Sequence, residues 1–262
     1  MTSNLRLFWV GGIISYRALF NWIHPAMYVP TMLGSPLFQI LFFAYLGRTA
    51  GVRDDAFFAI GNAVQVSAMA GIYGMTMAIA NERQFGTLSA LLATPASRPA
   101  LFLGRAVPVI ANGLLVSAFG FAVAMIALDV GIEASEVLPI AFVTVICCAS
   151  CTALGMLLGS LGLRARDVFF SANLVYFFML LVCGVNVPHS DMPGWLALIG
   201  DLMPMTHGIE AARELAAGAS MRSVWDLVLR EVAIGTAYTT LAYTLFRVFE
   251  REGRKHGSLD TF

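Results

Sequence analysis

Six long apolar stretches alternate with short polar segments along the 262 residues of the chain. A helix needs about 20 apolar residues to cross the hydrocarbon core of a bilayer, and each stretch is close to that length. The pattern predicts an all-α, polytopic membrane protein with six transmembrane helices. The predicted spans are residues Tyr28–Leu46, Phe57–Ala80, Leu101–Leu128, Leu138–Leu163, Val168–Val187 and Val232–Phe249.

The basic residues between these spans predict the orientation, because cytoplasmic loops are enriched in Arg and Lys. An even number of spans places both termini on one side of the membrane. That side carries Arg6, Arg17, Arg83, Arg98, Arg105, Arg164, Arg166, Arg247, Arg251, Arg254 and Lys255. The other side carries Arg48, Arg53, Arg213 and Arg222, with Arg230 near its boundary. Both termini are therefore predicted to be cytoplasmic.

Residues 4–23, before the first span, have apolar side chains at helical spacing with Arg6 and Arg17 among them. Trp9 and Trp22 favour the membrane interface. We expect an interfacial helix here, and the alternative is a poorly ordered leader. The segment lacks the small-residue cleavage site of a signal peptide, so we expect it to be retained.

The composition agrees with a membrane domain, since 58% of the residues are hydrophobic and 12% are charged. We expect residues 1–262 to form a single transmembrane domain with no separate soluble domain. The net charge is zero, which gives no basic surface for nucleic acid. Cys147, Cys148 and Cys151 share one span, and Cys183 lies in the next. Without nearby His, Asp or Glu, they predict packing and no metal site or disulfide.

Two glycines four residues apart, Gly155 and Gly159, lie in the fourth span. Small residues at this spacing allow another helix to approach closely. We expect the fourth span to pack against a neighbouring helix at this point.

None of the six predicted spans has a carboxylate, His or Lys near its centre, which argues against transport coupled to protons or sodium. The chain has no Gly-x-x-x-x-Gly-Lys-Ser/Thr phosphate-binding motif, so we expect it not to be an enzyme. If transport is active, a partner must supply the energy. The neutral polar residues within the spans either bond helices together or line a substrate path. They are Gln39, Asn62, Gln65, Asn112 and Asn173.

The segment 81–98 separates the second and third spans and has both polar and apolar positions. A helix from Glu82 to Leu92 would place Phe85, Leu88, Leu91 and Leu92 on one face, and Pro95 would end it. Gly86 inside such a helix costs about 1 kcal/mol, so it either permits close approach or divides two short turns. The apolar face either docks a partner or rests on the chain's own helices or on lipid.

This segment resembles the cytoplasmic coupling segment of the ABC-2 family of ATP-binding-cassette permeases. The resemblance rests on Glu82, Arg83, Gly86, Thr87, Leu88, Leu91, Leu92, Thr94, Pro95 and Arg98. The family commonly has Glu after Gly-Thr-Leu, where this chain has Ser89, so an ion pair to the ATPase is expected to be missing there.

A second part of the chain, residues 193–220, also resembles this family. Its motif residues are Pro193, Gly194, Trp195, Pro204, Thr206, Glu210 and Arg213. In ABC-2 permeases this region looks like a pair of short re-entrant helices in the outer leaflet. The Pro-Gly-Trp sequence opens the first helix and a Pro-x-Thr turn leads to the second.

The resemblance implies a transport subunit of an ABC exporter. The absence of a transit peptide favours a bacterial inner membrane. Its implied partners are two cytoplasmic ABC ATPase subunits, which bind the ATP and Mg, a second permease copy or homologue, and membrane lipid. The chain itself would bind no cofactor. The implied cargo is an amphipathic or hydrophobic compound such as a drug, an antibiotic or a lipid-like natural product. The alternatives are a lipid-linked glycan exporter subunit, a non-transporting membrane scaffold and a passive channel.

Overall fold

A computed structural model describes residues 25–51, 54–84, 86, 98–162 and 168–256. Within these ranges every regular element is a helix, which confirms the all-α expectation. The helices are α1 (Pro25–Ala50), α2 (Asp55–Gln84), α3 (Arg98–Ala127), α4 (Ala134–Leu161), α5 (Val168–Val182), α6 (Gly194–Asp201), α7 (Thr206–Ala216) and α8 (Trp225–His256), with a 3-10 turn at His189–Asp191. The interfacial helix expected at residues 4–23 lies outside the described residues.

Three of the described helices are long and apolar enough to cross a membrane: α2, α3 and α4. Helix α5 is apolar but shorter. It ends at Val182, before the Val187 expected from the apolar run, and the chain then turns through Gly184, whose φ is +71°. Helix α8 begins at Trp225, well before the expected Val232. The count of six spans stays a prediction.

Local sequence explains where two of the long helices end and begin. Helix α1 stops at Ala50, and Gly51 follows with a φ of +65°, a left-handed conformation that glycine adopts without the steric cost of a Cβ. Helix α4 starts with a capping box, in which the Glu136 carboxylate accepts a hydrogen bond from the Glu133 backbone N–H at 3.0 Å. These signals fix the connections at one end of the bundle.

Helix α2 lies at the centre of the bundle, with its closest packing against α4 and α3 and further contacts with α1, α5 and α7. The contact with α4 is backbone to backbone. A Cβ added to Gly155 would lie 2.7 Å from the carbonyl oxygen of Ile72 and 2.8 Å from that of Gly71. One turn further along, Gly159 packs on the Ile79 side chain. The expected helix-packing role of the glycine pair is confirmed.

Among the described residues, two hydrophobic clusters run along the bundle. The larger one fills the end where α6 and α7 lie, together with the middle of the bundle. The smaller one lies toward the other end, where α2 finishes, and joins α2, α4 and α8. Its buried members are Met75, Ile79, Met156, Ala242 and Phe246. Helix α8, which packs mainly on α4, is therefore joined to the end of α2 through this smaller cluster.

Replacement of Gly155 by alanine should lower the stability of the folded chain. The added methyl group meets the backbone of α2, and overpacking of this kind costs about 1–3 kcal/mol. The measurement is the thermal unfolding midpoint of the purified chain in detergent. Gly34→Ala is the matched control, because Gly34 is also helical but has no atom within 4 Å of its added Cβ. Equal midpoints for the two variants would contradict the close contact of α2 with α4.

Candidate functional site

A chain of neutral hydrogen bonds joins α1, α2 and α5 inside the bundle. The Gln39 amide donates to the Asn62 side-chain oxygen at 2.9 Å, and the Tyr176 hydroxyl donates to the Gln39 side-chain oxygen at 3.2 Å. The Asn62 amide in turn donates to the Phe58 carbonyl at 2.9 Å and to the Asn186 side-chain oxygen at 2.8 Å. We call Gln39, Asn62, Tyr176 and Asn186 the polar seam.

Next to the seam, a second polar pair links α2 with α5. The Tyr73 hydroxyl donates to the Asn173 side-chain oxygen at 2.7 Å. The Tyr73 ring also contacts the Tyr176 ring, with centroids 5.8 Å apart. The aromatic contact makes the pair continuous with the polar seam.

Gln65 lies on α2 one turn after Asn62 and is fully buried. Neither atom of its side-chain amide has a hydrogen-bond partner among the described residues. An unpaired buried amide lowers the free energy of unfolding by about 1–3 kcal/mol, so Gln65 destabilises the folded chain. Within the described part of the chain it is a buried donor and acceptor without a hydrogen bond of normal geometry.

The five residues expected to bond helices or line a substrate path are thus arranged in different ways. Gln39 and Asn62 bond directly, Asn173 joins the seam through Tyr73, and Gln65 is unpaired. Asn112 lies on α3, next to Gly113, which packs against Ser67 and Cys148. Sequence reasoning missed three members of this network, although tyrosines and an asparagine in apolar surroundings signal a need for partners. They are Tyr73, Tyr176 and Asn186.

The residues expected to form the outer re-entrant region build α6 and α7. Pro193 immediately precedes α6, Gly194 is its first residue, and Trp195 is 67% exposed. Thr206, which follows the buried Pro204 by two residues, is the first residue of α7. Its hydroxyl donates to the Gly200 carbonyl at 2.7 Å. We call residues 183–217, which include both short helices, the α6–α7 segment.

Arg213 on α7 fastens this segment to the start of α2. Its guanidinium donates to the carbonyls of Phe57 at 2.9 Å, Gly184 at 2.8 Å and Val185 at 2.7 Å. It also lies 3.6 Å from the centroid of the Phe57 ring, a cation–π contact. Glu210, one turn earlier on α7, is exposed.

Glu231 fastens the other side of the same segment, and sequence reasoning missed it. It is 1% exposed and belongs to α8, although the apolar run begins one residue later. Its carboxylate accepts hydrogen bonds from the Ser150 hydroxyl of α4 and from the backbone N–H groups of Met205 at 2.6 Å and Gly208 at 3.4 Å. A helix starts with N–H groups that have no partner in the helix, so this carboxylate caps α7.

At the opposite end of the bundle, Glu82 pairs with Arg105. The Arg105 guanidinium lies 2.5 Å from the Glu82 carboxylate and also donates to the Ala78 carbonyl at 2.9 Å. This ion pair joins the end of α2 to the beginning of α3. It therefore sets the separation of the two helices between which the expected coupling segment runs.

The described part of that segment corrects one expectation. Helix α2 ends at Gln84, and Gly86 follows in an exposed turn with a φ of +66°, so no single helix runs from Glu82 to Leu92. Gly86 divides the segment because its left-handed backbone cannot continue a helix. Arg83 and Arg98 belong to α2 and α3. Phe85, Thr87, Leu88, Leu91, Leu92, Thr94 and Pro95 lie outside the described residues.

The sequence matches a known family and known proteins. Residues 12–216 match the family model described as ABC-2 type transporter. The chain is 28% identical over 203 residues to the probable multidrug ABC transporter permease YbhR of Escherichia coli K12, covering 74% of this chain and 53% of that protein. It is 26% identical over 172 residues to the inner membrane transport permease YhhJ of the same strain, covering 65% and 46%. The chain spans about half the length of these relatives.

The polar seam predicts opposite effects for two substitutions on α2. Asn62→Leu should destabilise the chain by about 1–3 kcal/mol, because it leaves partners in α1 and after α5 unpaired. Gln65→Met, the control on the same helix, should leave stability unchanged or raise it, because no hydrogen bond is lost. Thermal unfolding in detergent measures both. A loss for Gln65→Met as large as that for Asn62→Leu would show that Gln65 is bonded in the folded chain.

Proposed function

Because the chain belongs to the ABC-2 type transporter family, we propose that it is the permease subunit of an ATP-driven exporter in a bacterial inner membrane. The observation that carries the proposal is the family match over residues 12–216, which includes the segment 81–98 and the motif residues from Pro193 to Arg213. The printed names of the relatives, a probable multidrug permease and an inner membrane transport permease, support the same class. The chain is a membrane transport subunit, and ATP hydrolysis belongs to separate subunits in this proposal.

The proposed complex contains two cytoplasmic ABC ATPases, with their ATP and Mg, and a second permease copy or homologue. The ATPase contacts the segment between α2 and α3. The Glu82–Arg105 ion pair supports this assignment, because it joins the two helices on either side of that segment. A force on the segment then moves the ends of α2 and α3 together. In this orientation the Glu82 end is cytoplasmic, both termini are cytoplasmic, and the α6–α7 segment faces outward.

The proposed cargo is an amphipathic or hydrophobic compound. The polar groups of the seam are neutral amides and phenols, and apolar side chains surround them. Such a lining favours neutral or weakly polar groups over ions, because an ion leaving water needs charged or many polar partners. Gln39, Asn62, Gln65 and Asn173 lie on or beside the seam and are the proposed contacts along this path.

The first test is purification of the tagged chain in mild detergent from its native membrane. We expect a phosphate-loop ATPase to copurify in stoichiometric amount and the complex to hydrolyse ATP. Recovery of the chain alone, even after crosslinking at Glu82 or Ser89, would contradict the exporter. Partner binding without nucleotide-driven change would instead indicate a scaffold, and solute flux without ATP would indicate a channel.

The docking assignment predicts the effect of charge in the segment between α2 and α3. The double variant Phe85→Asp and Leu91→Asp should abolish export and ATPase binding while membrane insertion is retained, because both apolar contacts become charged. Ser89→Asp is the control, since it adds one negative charge to the same segment at a polar position where the family commonly has Glu. The measurement is ATPase recovery with the purified permease together with cargo efflux. Wild-type recovery for the double variant would exclude this segment as the docking site.

A further inference from the structure

Glu231 has no part in the proposed docking or cargo path, yet it is a fully buried carboxylate with three hydrogen-bond donors. Those donors come from two elements, the Ser150 hydroxyl on α4 and the backbone at the start of α7. A buried carboxylate is costly unless it is bonded in this way. Glu231 can therefore stay buried only while the start of α7 is packed against α4 and α8.

The start of α7 depends on this carboxylate for its conformation. Met205, the residue before the helix, has a φ of +79°, a left-handed conformation that is uncommon for a residue other than glycine. Its N–H points to Glu231. Gly208, in the first turn, lies so close to Cys147 that an added Cβ would meet the sulfur at 2.0 Å. Together these contacts hold α7 down on the bundle.

Helix α8 connects this point with the docking end of the chain. It has 32 residues and is about 48 Å long at the usual helical rise. Glu231 lies near its first residue. Toward its other end, its Ala242 and Phe246 share a buried cluster with Met156 of α4 and with Met75 and Ile79, which come just before Glu82 on α2. One helix thus contacts α7 at one end and, at the other, joins the cluster that holds the part of α2 nearest the docking segment.

The α6–α7 segment is attached to two different helices. Arg213 holds it to the start of α2, and Glu231 holds it to α8 and α4. A shift of α8 relative to α2 has to strain or break one of these attachments. Glu231 bonds α7 through two backbone N–H groups, whereas Arg213 bonds three carbonyls and contacts the Phe57 ring, so we place the release at Glu231.

We propose that Glu231 is a positioning residue through which α8 moves the α6–α7 segment when the docking end is displaced. The proposal rests on the proposed function, because the displacement comes from the ATPase. While the Glu231 carboxylate is bonded to the N–H groups of Met205 and Gly208, the α6–α7 segment is closed over the end of the bundle. Release of the carboxylate from Met205 and Gly208 lets the start of α7 lift, while Arg213 acts as the hinge that remains attached.

Two native cysteines report on this closure. The Cys183 thiol lies 3.7 Å from the Pro204 carbonyl in the turn before α7, and Cys147 lies under Gly208. Both are buried in the closed arrangement. Lifting of α7 exposes them, so the rate at which a small charged methanethiosulfonate modifies them measures opening.

The test uses the permease–ATPase complex in nanodiscs, where both faces are accessible, with Cys148 and Cys151 replaced by alanine. Glu231→Gln should accelerate modification of Cys183 and Cys147 by about tenfold or more without ATP, because it removes the charge that accepts the three hydrogen bonds. Ser150→Ala, which keeps the carboxylate, should give a smaller acceleration. Glu214→Gln is the control, since Glu214 is an exposed glutamate on α7, the helix that Glu231 caps. Its Cys183 and Cys147 should be modified at the wild-type rate.

A second readout separates positioning from simple loss of structure. Glu231→Gln should keep ATP hydrolysis but export less cargo for each ATP hydrolysed, and trapping ATP in the wild-type complex should accelerate modification of Cys183. Modification of Glu231→Gln at the Glu214→Gln rate would overturn the role of Glu231. If the wild-type complex exports cargo but trapped ATP does not accelerate modification of Cys183, α8 does not transmit the displacement to the α6–α7 segment. Absence of ATP hydrolysis from the wild-type complex would instead contradict the proposed function. The modification rates measured without ATP would still test whether Glu231 holds the start of α7.

Discussion

The backbone contact between α2 and α4 at Gly71, Ile72 and Gly155 is the constraint on which the arrangement of this chain depends. Helices surrounded by lipid gain little from the hydrophobic effect when they associate, so close packing and hydrogen bonds must hold them together. The glycines bring the two backbones into contact and place α2 in the middle of the bundle. Helices α1, α3 and α5 then pack on α2, and α8 packs on α4.

Because of that central position, α2 makes contacts at both ends of the bundle. Its first turn supplies the Phe57 carbonyl to Arg213, its middle carries Asn62, Gln65 and Tyr73, and its last turns carry Glu82. Charged contacts lie toward the two ends and neutral ones lie between them. This distribution suits a bilayer, because a charge is most costly at the centre of the hydrocarbon.

Much of the fold could be predicted from the sequence, since long apolar runs give the helices directly and Gly155 and Gly159 indicated the packing face. The Pro-Gly-Trp and Pro-x-Thr motifs lie where α6 and α7 begin. Boundaries were less predictable where polar residues belong to a helix, as in α8. Glu231 escaped notice because it is next to Arg230, and its partners Met205 and Gly208 are close only in the folded chain.

The measurement that tests the account most directly is a cryo-electron microscopy comparison of the permease–ATPase complex without nucleotide and with trapped ATP. The account predicts ATPase density on residues 85–97, an unchanged contact between Gly155 and α2, and a displacement of α7 away from Glu231 when ATP is bound. ATPase density elsewhere, or ATP-driven separation of α2 from α4 with α7 still capped by Glu231, would contradict it.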